Sequence, residues 1–302
     1  MSIVLVHGGL ETSCAPEYME TLKESALAGY KALGRAPLDG AEEAVKILEN
    51  SPLFNAGYGS VLNRDGEVEM DASIMDGVTG RLGAVAAVSG VDHPVSVARR
   101  VLDETPHVLL AGRGAVKFAR SKGFAQANCV APKMLEAWKR AMDRGLQGGQ
   151  ASDASLFTGL PHEEVKYCDT VGCVVSHQGR TAAASSTGGS FLKLPGRVGD
   201  TPVPGGGILA SPVCAVVCTG LGEAFIETLT ASYVESLVAG GLHPQEAAEN
   251  AIKRLTEKRG APGGLLVADS LGRYGAACNT SSFPVVVAVD GRIVEGYSPR
   301  RV

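Results

Sequence analysis

Apolar and polar positions along the chain alternate between two patterns. Short runs are apolar throughout, as expected of strands buried on both faces, and longer stretches carry helical spacing. Residues 2–6 (SIVLV) predict a strand, and 16–33 a helix with Pro16 suited to its first turn. A second amphipathic helix is expected over 40–49, then a Gly/Pro/Asn loop over 50–60 (NSPLFNAGYGS). EVEMDASIM (67–75) and LGAVAAVSG (82–90) predict strands, and helical spacing dominates from Pro94 to about Gly145. Residues 145–169 are polar, Gly/Ser-rich and aperiodic, as in a linker or functional loop. Two strands follow, 170–177 and 179–187, joined by a Gly turn, and then a Gly/Pro loop over 188–207. A third strand ends at Gly220 and runs directly into one helix, GEAFIETLTASYVESLVAG; another helix covers 243–255. The chain closes with three or four more strands. Strands and a pair of helices in each half predict an α+β fold, two sheets between two helical layers.

Composition narrows the classes of function. With 302 residues, 45% apolar and 20% charged, the chain reads as a soluble globular protein. That length suits one large domain or two ordinary ones, burying about 75% of the unfolded surface. The balance of 28 Lys+Arg against 32 Asp+Glu leaves no basic excess for nucleic acid or an anionic membrane. There is no 18-residue apolar run to span a bilayer. Seven cysteines form no CxxC pair and six histidines no HExxH, so neither a disulfide framework nor a zinc site follows. The start, MSIVLVHGG, lacks the basic segment and long apolar stretch of a secretory signal, and a reducing cytoplasm is the expected setting.

The chain has no GxSxG elbow and no GxxxxGK[ST] loop, and its glycines do not fit GxGxxG. A threonine pattern remains. Thr170 follows the polar loop and opens the apolar run DTVGCVV. Cutting the bond before it would free an α-amine with a pKa of about 7.7–8.0 beside a hydroxyl, an activated nucleophile. Taken alone, Thr170 is equally a β-branched residue at the start of a strand.

Its surroundings carry more. TVG at 170–172, STGG at 186–189, GRVGD at 196–200 and TGLGE at 219–223 stand in order behind HGG at 7–9, FNAGYGSVLN at 54–63 and GEVEMDASIMDG at 66–77. Together they resemble the plant-type asparaginase / isoaspartyl peptidase family of N-terminal-nucleophile threonine hydrolases, over nearly the whole chain. The resemblance implies a four-layer αββα sandwich and a single catalytic domain, 1–302. It implies self-cleavage between Asp169 and Thr170 into an α subunit, 1–169, and a β subunit, 170–302, with 145–169 as flexible linker. Thr170, opening a central strand, would be nucleophile and, through its amine, base. Thr187 would hydrogen-bond near it. Arg197 and Asp200 would grip the substrate's α-carboxylate and α-amine, as a bidentate fork and an acceptor can. Thr219 and Gly220 would form the oxyanion hole, with Gly220 also touching substrate, and Asn55 would lie near the nucleophile.

By the same resemblance the substrates are L-asparagine and β-aspartyl dipeptides, no cofactor is needed, and processed protomers pair as (αβ)2. Backbone carbonyls of the loop from Leu48 to Tyr58 would hold a structural sodium ion, with no metal ligand from a side chain. This chain departs from the family pattern at Asp169, which replaces a glycine and resembles the aspartylglucosaminidase and taspase branches, at Leu221, which replaces a histidine, and at Leu10, which replaces a glycine. RYGAACN at 273–279 also looks closer to aspartylglucosaminidase. The alternatives are therefore an aspartylglucosaminidase-like hydrolase of glycosylated asparagine, or a processing-deficient pseudoenzyme with a binding or structural role.

Overall fold

The computed structural model describes residues 1–34, 36–143 and 170–302. The expected linker and Asp169 lie outside them. Among the described residues the fold is mixed α/β, with two sheets.

The larger sheet has eight strands in the order β12-β11-β1-β5-β6-β2-β3-β4. They are β1 (Ser2–His7), β2 (Met70–Asp76), β3 (Leu82–Val88), β4 (Leu109–Ala111), β5 (Val171–His177), β6 (Arg180–Thr187), β11 (Val285–Val289) and β12 (Arg292–Ile293). All its pairs are antiparallel except β3 with β4. The smaller sheet runs β13-β10-β9-β8-β7, from β7 (Ile208–Ala210), β8 (Cys214–Gly220), β9 (Gly263–Asp269), β10 (Tyr274–Cys278) and β13 (Arg300–Arg301).

The central strands are apolar without alternation because both of their faces are covered. On one face of the larger sheet Val4, Val6, Cys173, Val175, Ala182 and Ala184 pack against α1 (Pro16–Ala32), α2 (Pro37–Glu49) and α3 (Pro94–Glu104). On the other, Ile3, Leu5, Val174 and Ala183 meet Ala215, Val217 and Leu266 of the smaller sheet. Val216, Leu265 and Val267 turn outward onto α7 (Thr230–Ala239) and α8 (Pro244–Arg259). Burying each such side chain contributes about 1.5–3 kcal/mol, so the strands are held from both sides. Helices α4 (Gly112–Ser121) and α5 (Pro132–Asp143) complete the first half. Among the described residues no helix is long and apolar enough to cross a membrane.

Proline at the first helical position starts α1, α2, α3 and α8. The helix expected as one piece after Gly220 is two, α6 (Gly222–Thr228) and α7, broken at Leu229 with φ +48°. The break lets the first amides of α7 bond elsewhere: Ala231 N–H donates to Gly206 O and Ser232 N–H to Gly205 O. A continuous helix would turn those donors onto its own carbonyls. Three short edge strands, β4, β7 and β13, were also not expected from the pattern.

Candidate active site

Thr170 stands immediately before β5, which lies fourth among the eight strands, between β1 and β6. It is buried. The register Val171↔Ser186 brings the start of β5 beside the end of β6, where Thr187 is the last residue. At the far end of β8, Thr219 reaches across from the smaller sheet, and its hydroxyl donates to the Thr170 carbonyl over 3.3 Å. Gly220 follows at φ +134°, a conformation that needs glycine, and the chain turns there into α6. A hydroxyl donor thus meets the backbone where Thr170 leads into β5, and α6 begins two residues beyond Gly220. A donor so placed suits developing negative charge.

The loop between β6 and β7 carries GRVGD. Arg197 forms a two-pronged pair with Glu223 of α6, Nε to Oε1 at 2.9 Å and Nη2 to Oε2 at 2.8 Å. The guanidinium is thus paired with Glu223 rather than with nearby Asp200. Asp200 is 3% exposed, and its Oδ2 has no hydrogen-bond partner among the described residues. Burial pushes its carboxyl up to about 7, against the pull of Arg197. Gly207 and Gly222 make room around it: a Cβ on the first would fall 2.5 Å from Asp200 Oδ2, and on the second 2.9 Å from Oδ1. A buried carboxylate oxygen without a donor costs stability unless a ligand supplies one.

Asn55 is held between two backbone segments. Its Nδ2 donates to Gly189 O at 2.7 Å, and its Oδ1 accepts from Val61 N–H at 3.0 Å. Both ends of the amide are bonded to backbone, tying the loop after α2 to the STGG turn. Thr187 Oγ1 likewise accepts from Gly189 N–H at 2.9 Å. Thr187 borders the site, while the side-chain contact to the Thr170 hydroxyl comes from Thr201, at 3.4 Å between oxygens.

Thr201 was not singled out in the sequence, although it directly follows Asp200. Nor was Asp71, an acid in the fully buried part of β2. Asp71 is fully buried; it accepts from Ala87 N–H at 2.8 Å and, in the GRVGD loop, from Gly199 N–H at 3.1 Å. Burial raises its carboxyl pKa, and neighbouring Lys193 partly offsets this. Lys193 Nζ donates to Glu69 O at 2.7 Å, and Gly196 N–H donates to the Glu69 carboxylate. These anchors hold the loop that carries Arg197 and Asp200. Two of the three departures from the family pattern have packing roles: Leu10 fills the core between the sheets, and Leu221 packs on the core beneath α7 and α8.

Known proteins match this sequence over most of its length. The sequence profile of a family described as Asparaginase matches residues 1–295. The chain belongs to the asparaginase family. It is 42% identical over 298 residues to a plant-type L-asparaginase of Thermococcus kodakarensis, covering 96% of this chain and 97% of the relative. An isoaspartyl peptidase of Salmonella typhimurium is 41% identical over 293 residues, 92% of each chain. An isoaspartyl peptidase/L-asparaginase of Rattus norvegicus is 38% identical over 305 residues, 97% of this chain and 88% of the relative. This asparaginase-family chain therefore aligns with its relatives from β1 to the closing strands.

Proposed function

We propose that the chain is a self-cleaving threonine hydrolase of β-aspartyl amide bonds. It releases L-aspartate from isoaspartyl dipeptides and from L-asparagine, substrates taken from the names of its relatives. The observation that carries the reading is the unpartnered Asp200 Oδ2, buried one residue from the Thr201 hydroxyl that touches Thr170. An α-ammonium group supplies the missing donor. Arg197, beside it and 18% exposed, can exchange Glu223 for the substrate's α-carboxylate in the same two-pronged geometry. So held, a substrate's β-carbonyl reaches the end of β5.

Cleavage before Thr170 gives the 1–169 and 170–302 pieces and frees the α-amine. That amine takes the proton of the Thr170 hydroxyl as its oxygen attacks the β-carbonyl carbon. The Thr219 hydroxyl and Gly220 N–H stabilise the tetrahedral oxyanion. The leaving ammonia or amine takes the proton from the α-ammonium, leaving a β-aspartyl ester. Water, deprotonated by the same amine, then releases aspartate.

The remaining features belong to the same proposal. The packing of helices and sheets supports a four-layer αββα sandwich. The family supports a single domain, (αβ)2 pairing of processed protomers and no cofactor. Among the described residues six cysteines are free, five of them buried, which supports a reducing, cytoplasmic setting. Sodium in the loop from Leu48 to Tyr58 is supported by donor chemistry: the carbonyls of Glu49, Ser51 and Phe54 lie against Gly57 and Gly59.

Intact mass and product assays test the reading. Purified protein should give two masses, 1–169 and 170–302, and release aspartate from L-asparagine and a β-aspartyl dipeptide. Thr170→Ala should stay one chain. Arg197→Ala should cleave itself yet lose turnover, because positioning of the small substrate is worth up to about 7–11 kcal/mol. Near-normal turnover by Arg197→Ala would withdraw the substrate assignment. Preferential release of aspartate from glycosylated asparagine would favour an aspartylglucosaminidase-like enzyme, and one uncleaved mass with no turnover would favour a pseudoenzyme.

A further inference from the structure

We propose that Thr201 is a catalytic residue whose hydroxyl holds the Thr170 hydroxyl in its attacking position and assists its departure from the acyl ester. The inference rests on the reading of Thr170 as nucleophile, and gives a role to a residue that none of the motifs assigns.

Three observations carry it. First, Thr201 Oγ1 is 3.4 Å from Thr170 Oγ1, a direct contact between the two hydroxyls. The neighbour expected to fill that place, Thr187, has its hydroxyl oxygen on Gly189 N–H. Second, Thr201 is fixed. It is 1% exposed, and its carbonyl accepts from Ser73 Oγ at 2.5 Å, which fastens its backbone to β2. Its β-branched side chain has restricted χ1 freedom as well. Third, Thr201 follows Asp200 directly, so the ammonium grip and the contact to the nucleophile sit on successive residues. A substrate that settles on Asp200 settles a fixed step from the Thr170 oxygen.

A separation of 3.4 Å is longer than the usual 2.5–3.0 Å or so for paired hydroxyls. Hydrogen bonds in resting active sites are often long and tighten only when substrate is bound. A hydroxyl carries a proton to donate, which gives Thr201 a use on each side of the reaction. Before attack, Thr201 Oγ1 donates to the Thr170 hydroxyl oxygen and so fixes its orientation. The Thr170 proton is thereby left pointing at the α-amine, which takes it as the new C–O bond forms. When water attacks the ester and that C–O bond breaks, Thr201 Oγ1 donates to the departing Thr170 oxygen. The α-ammonium returns the proton to that oxygen. No bond of Thr201 is made or broken overall.

The test compares wild type with Thr201→Val, which keeps the shape and removes the hydroxyl, and Thr201→Ser, which keeps the hydroxyl. The kcat and KM for a β-aspartyl dipeptide are measured separately, with self-cleavage followed on a gel. Losing one hydrogen bond of about 1.4 kcal/mol predicts a roughly tenfold fall in kcat for Thr201→Val, with KM within about threefold. Thr201→Ser should restore kcat to within about threefold of wild type. A packing role would instead lower the melting temperature or raise KM and leave kcat alone. Thr201→Val turning over within about twofold of wild type overturns the inference while the substrate reading stands. If Thr201→Val does not fold, Thr201→Ala takes its place under the same criteria. If wild type cleaves itself but releases no aspartate, the substrate reading fails by itself. The cleavage rates then decide the inference, slower in Thr201→Val supporting it and equal rates overturning it. A wild type that remains one chain overturns both.

Discussion

Asp200 is an unusual residue for its surroundings, and that makes it testable by pH. Its carboxyl is buried and raised from 3.8 to about 7, with one oxygen unpartnered. An acid whose folded pKa is raised by burial opposes folding once it is ionised. The protein therefore keeps its full stability below the unfolded value, near 4, and loses some as pH rises toward about 7. Asp200→Asn has no charge to bury, so its advantage over wild type should grow from pH 5 to pH 8, by on the order of 1–3 kcal/mol in denaturant unfolding. Equal gaps at both pH values would show that the carboxylate is not the source of the cost. An ammonium ligand works in the opposite sense, favouring the ionised form, so substrate should narrow the gap at pH 8. The motif GRVGD marked Asp200 in the sequence. The missing partner of its Oδ2 was not legible there, because the space around it opens only when Gly207, later in the same loop, and Gly222, at the start of α6, fold back against it.

The strands and helices around the site were largely readable, and the reason is burial. β1, β5 and β8 are covered on both faces, so each carries an apolar run, while β6 carries small residues around three successive alanines. What could not be read depends on partners distant in the chain. The break at Leu229 follows from amides of α7 bonding to carbonyls of Gly205 and Gly206. The end of α2 was placed correctly at Glu49, but nothing in the periodicity shows why a carboxylate is fully buried there. Glu49 Oε1 accepts from Val95 N–H at 3.0 Å, and Oε2 lies 3.3 Å from His93 Nδ1. It therefore caps the first turn of α3, where a helix favours negative charge. Burial raises its pKa, and hydrogen bonds from its partners, His93 foremost, oppose the rise. Glu49→Ala leaves the Val95 amide without an acceptor and should cost roughly 1–3 kcal/mol in equilibrium unfolding. Glu49→Gln keeps an acceptor there and should cost less. If the two substitutions are equally harmless, α3 is not held by this contact.

At the scale of the molecule, the larger sheet determines what cleavage before Thr170 can do. Read across the sheet, strands from before and after that bond are interleaved. β1, from the first piece, lies between β11 and β5 of the second, and β6 of the second lies between β5 and β2. Seams between the pieces therefore run along β1–β11, β1–β5 and β2–β6, each with five or more paired positions. Helices α1 and α2 of the first piece cover strands of the second as well, with Val45 and Leu48 in one buried cluster with Cys173 and Ala184. The pieces cannot part without opening the sheet and exposing two cores. Each piece alone would also leave bare strand edges that template aggregation. The cleaved protein should thus travel as one species in native size exclusion, melt in a single transition, and separate into 1–169 and 170–302 only in denaturant. Its refolding from separated pieces should be poor. Two resolved melting transitions, or pieces that separate in native buffer, would mean that the sheet does not hold them together after cleavage.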